Sequence, residues 1–320
     1  MILRQVHQVQ CYREGLQQVA ETLKGDEVLY SGIRPYDYHA GNRIVLAVYP
    51  HLLARSVAAR GVKPRFRYVI TLNDLEPSAY DGLALRASGP SYQIATVVDA
   101  IIDKLETDLV HLRREFPDVV IEYFKSSDMV RTPHFERTTQ ILLQDPMELM
   151  RLYFREEILA QMPREMVAGS EFFGLVCPTC KVPVPARQAP RLGDATCQGC
   201  GVALAARGAM HYWLYFIPLL ALKLRVVQPD VALLGGDYLE PDEMAPLLKQ
   251  PCKLDEILEL YGMLDAGRPL TFLVPPLLMG KDNQKMSKSL GNVTAYRYDE
   301  VLAACGSIEG PRFAIPSVEN

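Results

Sequence analysis

Apolar residues along this chain recur at two periods, and the alternation between those periods outlines an architecture. Val28 to Gly32 is a short apolar run of strand type. From Gly41 onward Val45, Tyr49, Leu52 and Leu53 return at helical spacing, which predicts a helix to about Gly61. A second strand is expected over Arg65–Thr71, closing in the polar run Asn73-Asp74-Leu75-Glu76. Ile94, Val97, Ile101, Leu105, Leu109 and Leu112 mark a long amphipathic helix. Val119 to Tyr123 is strand-like, and Pro133 to Met162 carries two helical segments divided near Asp145-Pro146. At the start, residues 1–24 read as a helix. Toward the end come a helix from His211, a strand at Val231–Leu234, the loop Gly235-Gly236-Asp237, two short helices and a last strand over Pro269–Val274. Strand and helix alternate, so the expected fold is α/β: a parallel, doubly wound sheet that binds ligands at the carboxyl ends of its strands. There is no internal repeat and no low-complexity tract.

Composition changes this picture little. The chain has 320 residues, enough for one large domain with an insert, and its 49% hydrophobic and 22% charged residues are ordinary for a soluble protein. Its longest apolar stretch, Trp213 to Leu222, is too short to span a bilayer and contains Pro218. The first residues, Met1 to His7, lack the apolar core of a signal peptide. The expectation is a cytoplasmic protein with reduced thiols and no membrane partner. A net charge of −4 argues against a protein that grips a long polyanion over much of its surface. Arg55, Arg60, Lys63, Arg65 and Arg67 are nevertheless concentrated in one region, as a solvated face or a local basic patch.

The cysteines alter the picture more. Four of the seven form Cys177-Pro178-Thr179-Cys180 and, after sixteen residues, Cys197-Gln198-Gly199-Cys200. Two such knuckles are a zinc-ribbon signature, in which each hairpin turn presents two thiolates to one tetrahedral ion. A pair of disulfides is the weaker explanation in a cytoplasmic chain, and a thioredoxin-like redox site would need only one pair beside a βαβ unit. Four thiolates leave no open coordination position, so the expected Zn2+ is structural. Cys11, Cys252 and Cys305 are isolated. The chain then divides into residues 1–173, an insert over 174–207, and residues 208–320.

Candidate chemistry lies in two strings. Lys285-Met286-Ser287-Lys288-Ser289 puts two ammonium groups and two hydroxyls on a short polar loop. Lysine stems deliver point charges and serines donate hydrogen bonds, a combination that suits the polyphosphate of ATP. Far upstream, Tyr38-His39-Ala40-Gly41-Asn42 falls at a predicted strand-to-helix junction. There a helix start offers N–H groups and a positive dipole end to phosphate oxygens, and His39 can add a donor. Gly41 leaves room for a base to approach the backbone.

In this order the two strings resemble the HIGH and KMSKS signatures of class I aminoacyl-tRNA synthetases. The order of elements over about residues 25–295 is similar to the catalytic domain of class I lysyl-tRNA synthetase. There a zinc ribbon precedes an aromatic-containing helix, a Gly-x-Asp element and the lysine-rich loop, here Cys177–Cys200, Tyr212-Trp213, Gly235-Gly236-Asp237 and Lys285–Ser289. Gly235-Gly236-Asp237 and Pro276-Leu277-Leu278 also resemble tyrosyl enzymes, which leaves the amino acid open. Departures from the family pattern are the spacing of four from Pro35 to His39, with Tyr36-Asp37-Tyr38 between, and the bulky Arg34.

The resemblance implies a Rossmann-type, HUP-like domain with an inserted zinc ribbon that activates an amino acid as its adenylate, using ATP with Mg2+. It implies ATP contacts from Ser31, Gly32, His39, Gly41, Asn42, Gly235, Asp237, Lys285, Met286, Ser287 and Lys288, with His39, Lys285 and Lys288 catalytic. Asp74, Tyr212, Trp213 and Asp237 would meet the amino acid, with lysine expected first. Only 28 residues follow Asn292, leaving no room for the helical anticodon-reading domain of full-length lysyl enzymes. The expected acceptor is therefore a tRNA acceptor arm alone, a carrier protein, a lipid or a small amine. Two other readings remain open: a non-catalytic regulatory paralogue that keeps nucleotide affinity, and a nucleotidyltransferase.

Overall fold

A computed structural model describes residues 7–10, 13–33, 38–72, 94–129, 155–161, 174–176, 183–185, 195–196, 200–201, 203–204, 210–211, 217–235, 270–275, 277–279, 296–305 and 312–313, with single residues at 133, 238 and 254. Its centre is a six-stranded sheet of β1 (His7–Gln10), β2 (Val28–Ile33), β3 (Arg67–Leu72), β4 (Val120–Lys125), β5 (Val231–Leu233) and β6 (Thr271–Val274), in the spatial order β1-β6-β5-β2-β3-β4. Every neighbouring pair is parallel. From β2 the chain winds outward through β3 to β4. It later returns beside β2 as β5 and winds the other way through β6. The strand order thus reverses between β2 and β5, and the crevice beyond their carboxyl ends is where such sheets hold ligands.

The inner strands β2, β3, β5 and β6 are buried runs because helices cover the sheet, while β4 at the edge is only partly buried. Leu29, Tyr30, Tyr68, Ile70, Leu72, Val231, Leu233 and Leu273 are all under 3% exposed. The covering helices are α1 (Arg13–Thr22), α2 (Ala40–Arg43), α3 (Tyr49–Ala59), α4 (Ile94–Glu115), α5 (Ile217–Val227) and α6 (Tyr298–Cys305). Arg60, just past α3, donates to the carbonyls of Ala20 and Leu23 at the end of α1, where unpaired carbonyls accumulate.

Between α2 and α3 the helix continues as one π turn, Ile44–Val48, and Pro50 explains its place. Proline has no N–H to return to the carbonyl of Leu46 one turn earlier, and widening the helix just before it relieves the misfit. The Tyr68 hydroxyl on β3, fully buried, donates to the Leu46 oxygen at 2.9 Å and replaces the missing bond. Residues 44–48 are buried on all sides, so this stretch is the helix seated most deeply against the sheet.

Two local expectations are corrected. Residues 7–10 are a strand and not part of a helix over 1–24, since β1 pairs along the outer edge of β6. That partner lies far away in sequence, and His-Gln-Val-Gln carries no local sign of it. Met210–His211 is likewise a short strand on Gly174–Val176, and the described helix that follows is Ile217–Val227. Among the described residues of 174–207 are two antiparallel strand pairs, 174–176 with 183–185 and 195–196 with 203–204. The helical segments expected over Pro133–Met162 lie mostly outside the described residues, apart from a helix at Glu156–Gln161.

Candidate functional site

The carboxyl end of β2 is set by small residues under close approach. A Cβ on Gly32 would lie 2.7 Å from Thr71 Oγ1 and 3.1 Å from the Tyr30 hydroxyl, so only glycine lets β2 and β3 run this close. Ser31 is fully buried, and its hydroxyl donates to the Leu233 carbonyl at 3.1 Å, stitching β2 to β5 across the point of reversal. Tyr30 and Thr71 share a hydrogen bond of 3.0 Å beneath it. On the other strand Leu234 donates its N–H to the Leu273 carbonyl at 3.0 Å, and Gly235 follows, accepting from the Tyr238 N–H at 3.1 Å.

His39 opens α2 as its N-cap, with extended backbone (φ −111, ψ 176). Its Nδ1 accepts the Gly41 N–H at 3.1 Å, while Asn42 Oδ1 accepts the His39 N–H at 3.3 Å, a reciprocal capping box. A neutral ring that accepts at Nδ1 carries its proton on Nε2, which is then the donor nitrogen. Gly41 is needed for the ring as well: a Cβ there would meet His39 Cε1 at 2.9 Å. The three residues singled out in the sequence thus form one hydrogen-bonded turn.

Two neighbours that sequence reasoning did not weigh hold that turn. Tyr38 donates its hydroxyl to Asp108 Oδ2 at 2.5 Å, and Arg43 Nε donates to the same oxygen at 2.6 Å. The Arg43 guanidinium lies 5.6 Å from the centre of the Tyr38 ring, and its Nη1 donates to the Tyr296 carbonyl ahead of α6. Burial and the adjacent Asp108 carboxylate push the Tyr38 phenol far above its ordinary range. A sequence signal for Asp108 did exist: it lies between Leu105 and Leu112 on the apolar stripe of α4, a charge where the period calls for a hydrophobe.

Further along the same helices is a second polar cluster around a cavity of about 300 Å³. His51 is 2% exposed, with Nε2 2.9 Å from Glu115 Oε2 and Nδ1 2.6 Å from the Tyr298 hydroxyl. Arg55 grips Glu115 through Nε at 2.8 Å and Nη2 at 2.6 Å. The Arg55 and His51 hydrogen bonds hold the Glu115 carboxyl at about 2, while burial lowers His51 below the ordinary histidine value. His111 stacks on Tyr298 with ring centres 4.4 Å apart.

Of the expected site residues, the structure therefore places Ser31, Gly32, His39, Gly41 and Asn42 along β2 and the turn after it, and Gly235 after the adjacent strand β5. Asp74, Tyr212, Trp213, Asp237, Lys285, Met286, Ser287 and Lys288 lie outside the described residues, as do Cys177, Cys180 and Cys197. Cys200 is exposed. Among the described residues no group of three or more His, Cys, Asp or Glu could hold a metal ion, and no helix is long and apolar enough to cross a membrane.

No protein-family model matches this chain, and no curated protein does. Among solved structures it is similar to a tyrosyl-tRNA synthetase of Leishmania major in complex with tyrosinol, at 12% identity and a TM-score of 0.39, over 85% of this chain and 30% of that one. It is also similar to a Campylobacter jejuni protein described as an arginyl-tRNA synthetase, at 13% identity and a TM-score of 0.33, over 95% of this chain and 71% of that one. At these scores the likeness decides nothing about activity. The fold class rests on the sheet itself, a parallel doubly wound α/β arrangement of Rossmann type.

Proposed function

We propose that this protein activates an amino acid with ATP, forming an aminoacyl-adenylate and releasing pyrophosphate. The observation that carries the reading is the His39–Asn42 capping box, seated where the strand order reverses, on a chain that also contains Lys285-Met286-Ser287-Lys288-Ser289. A turn with a His donor at that crevice suits a nucleotide's phosphates. An oxygen of the amino acid's carboxylate attacks the α-phosphorus, the bond to the bridging oxygen breaks, and pyrophosphate leaves with that electron pair. Lys285 and Lys288 neutralise the charge that builds on the phosphoryl oxygens, and His39 donates to them from Nε2. Mg2+ would accompany ATP as part of the substrate and would supply further positive charge there.

Lysine is the first candidate, with Asp74 or Asp237 facing the ε-ammonium and Tyr212 or Trp213 along its stem. The acceptor of the adenylate is a tRNA acceptor end or another nucleophile, such as a carrier protein or a small amine. A structural Zn2+ fits the insert, because Cys177 and Cys180 fall between the paired strands 174–176 and 183–185, and Cys197 and Cys200 between 195–196 and 203–204. By sequence position each pair falls in the connection between two paired strands, and four thiolates so spaced suit one tetrahedral ion.

The test is ATP–pyrophosphate exchange across a panel of amino acids. Exchange that depends on one amino acid supports the reading, and Lys288→Ala or His39→Ala should lower it by roughly 10²–10³. Exchange that depends on a compound other than an amino acid would favour a nucleotidyltransferase. ATP binding with no exchange for any partner would favour a regulatory module. Metal analysis of protein purified without chelator should find one zinc per chain.

A further inference from the structure

Tyr38 and Arg43 stand at the two ends of the His39–Asn42 turn, and a single oxygen holds both. Asp108 Oδ2 accepts from the Tyr38 hydroxyl and from Arg43 Nε, while Arg43 passes its Nη1 on to the Tyr296 carbonyl. Asp108 is 4% exposed on the apolar face of α4, a place where leucine would serve packing better. Desolvating a carboxylate there is costly, and replacing such pairs with apolar groups is often neutral for stability, so packing alone does not account for it. The geometry matches a different task. With the turn fixed from both sides, the His39 ring stays folded over Gly41 with Nε2 as donor. Through Arg43, the last residue of α2, the chain entering α6 is fixed to the same turn.

We propose that Asp108 is a positioning residue of the nucleotide site, acting through Tyr38 and Arg43 to hold the His39–Asn42 turn and the Tyr296 carbonyl in one arrangement. The kinetic consequence rests on the adenylation reading; the structural one does not. Tyr296 also follows the lysine-rich string closely in sequence, so the same carboxylate links the chain beyond the second signature to the first.

Asp108→Asn keeps the shape and removes the charge. Hydrogen–deuterium exchange should quicken by about tenfold in peptides covering 38–48 and 296–305, the loss expected from weakening charge-assisted bonds, while β3 and β4 peptides stay as in wild type. In ATP–pyrophosphate exchange kcat should fall roughly tenfold to a hundredfold with KM for ATP little changed, because misplacing a group by a fraction of an ångström affects the transition state most. Arg43→Lys combined with Asp108→Asn should cost no more than the worse single change, since both cut one contact chain. Arg67→Ala, in an exposed ion pair on the sheet, should leave all of these readings as in wild type. If Asp108→Asn does not fold, Tyr38→Phe removes one of the two donors and should quicken the 38–48 peptide alone.

Unchanged exchange in both peptides overturns the proposal whether or not the wild type activates any amino acid. So does a rise spread evenly over every strand, which would make Asp108 a general stabiliser. A wild type inert with every amino acid removes the adenylation reading, and with it the kinetic role of Asp108, and leaves the peptides to decide the tether.

Discussion

Asp108 and Glu115 lie two turns apart on α4, and each accepts hydrogen bonds from an arginine and a ring side chain. Asp108 takes Arg43 and Tyr38 on one oxygen at 5% side-chain exposure. Glu115 takes Arg55 and His51 on two oxygens at 39% exposure. The contact lists are alike, and the surroundings differ. Around Asp108 water cannot replace a lost partner, so removing one group strands the other. Around Glu115 solvent screens the pair and can take over its bonds, so the same pattern is worth less. The tighter cluster is the one beside the His39–Asn42 turn.

That difference can be broken by deletion. Asp108→Ala should cost on the order of 3 kcal/mol in chemical denaturation, because it leaves Arg43 Nε and the Tyr38 hydroxyl partly buried without their acceptor. A cost no larger than that of Glu115→Gln would mean that burial does not separate the two sites. Charge and burial can then be told apart at Tyr68, which holds the Leu46 carbonyl freed by Pro50 without any ionised group. Tyr68→Phe should cost about 1–3 kcal/mol, the penalty for a buried acceptor left unsatisfied.

Smaller and readable by titration is the Glu115 cluster itself. The Glu115 carboxyl is held at about 2, below its ordinary value of 4.5, so its contribution is present above the ordinary value and lost as pH falls toward 2. His51, lowered by burial, acts in the same sense at higher pH: it stays neutral when folded, and charging it below the ordinary histidine value of 6.5 opposes folding. Melting temperature should therefore fall on acidification in two stages. Glu115→Gln should flatten the lower stage, and an unchanged profile would dismiss the Arg55 and His51 contacts of Glu115 in solution. The smallest effect belongs to Arg67–Glu122, exposed at 51% and 41%, where Arg67→Ala should change stability by less than about 1 kcal/mol. A larger loss there would show that exposure is a poor guide on this protein.

Much of the sheet was legible because its signals are local. Val28–Gly32, Arg65–Thr71, Val119–Tyr123, Val231–Leu234 and Pro269–Val274 are apolar runs of strand length, and the observed strands at 28–33, 67–72, 120–125, 231–233 and 271–274 lie within a residue or two of them. Parallel strands buried on both faces must read that way, as β2, β3, β5 and β6 do; β4 at the edge is only partly buried. The period of α4 is as plain, from Ile94 to Leu112 within Ile94–Glu115. Strand β1 was not legible, since Val9 between two glutamines pairs only because β6 presents an open edge far along the chain.

The sequence alone determined the alternation that makes a doubly wound sheet and the placing of His39, Gly41 and Asn42 at a strand-to-helix junction. Spacing and residue type act over a few positions, and both of those features are short in range. Tertiary structure alone decided that β5 lies against β2, so that Gly235 and the His39 turn follow neighbouring strands. It also chose Tyr68 for the Leu46 carbonyl and Asp108 for Tyr38 and Arg43. Those partners are separated by 22 to more than 200 residues, and their energies depend on exclusion of water, which exists only once the helices have closed over the sheet.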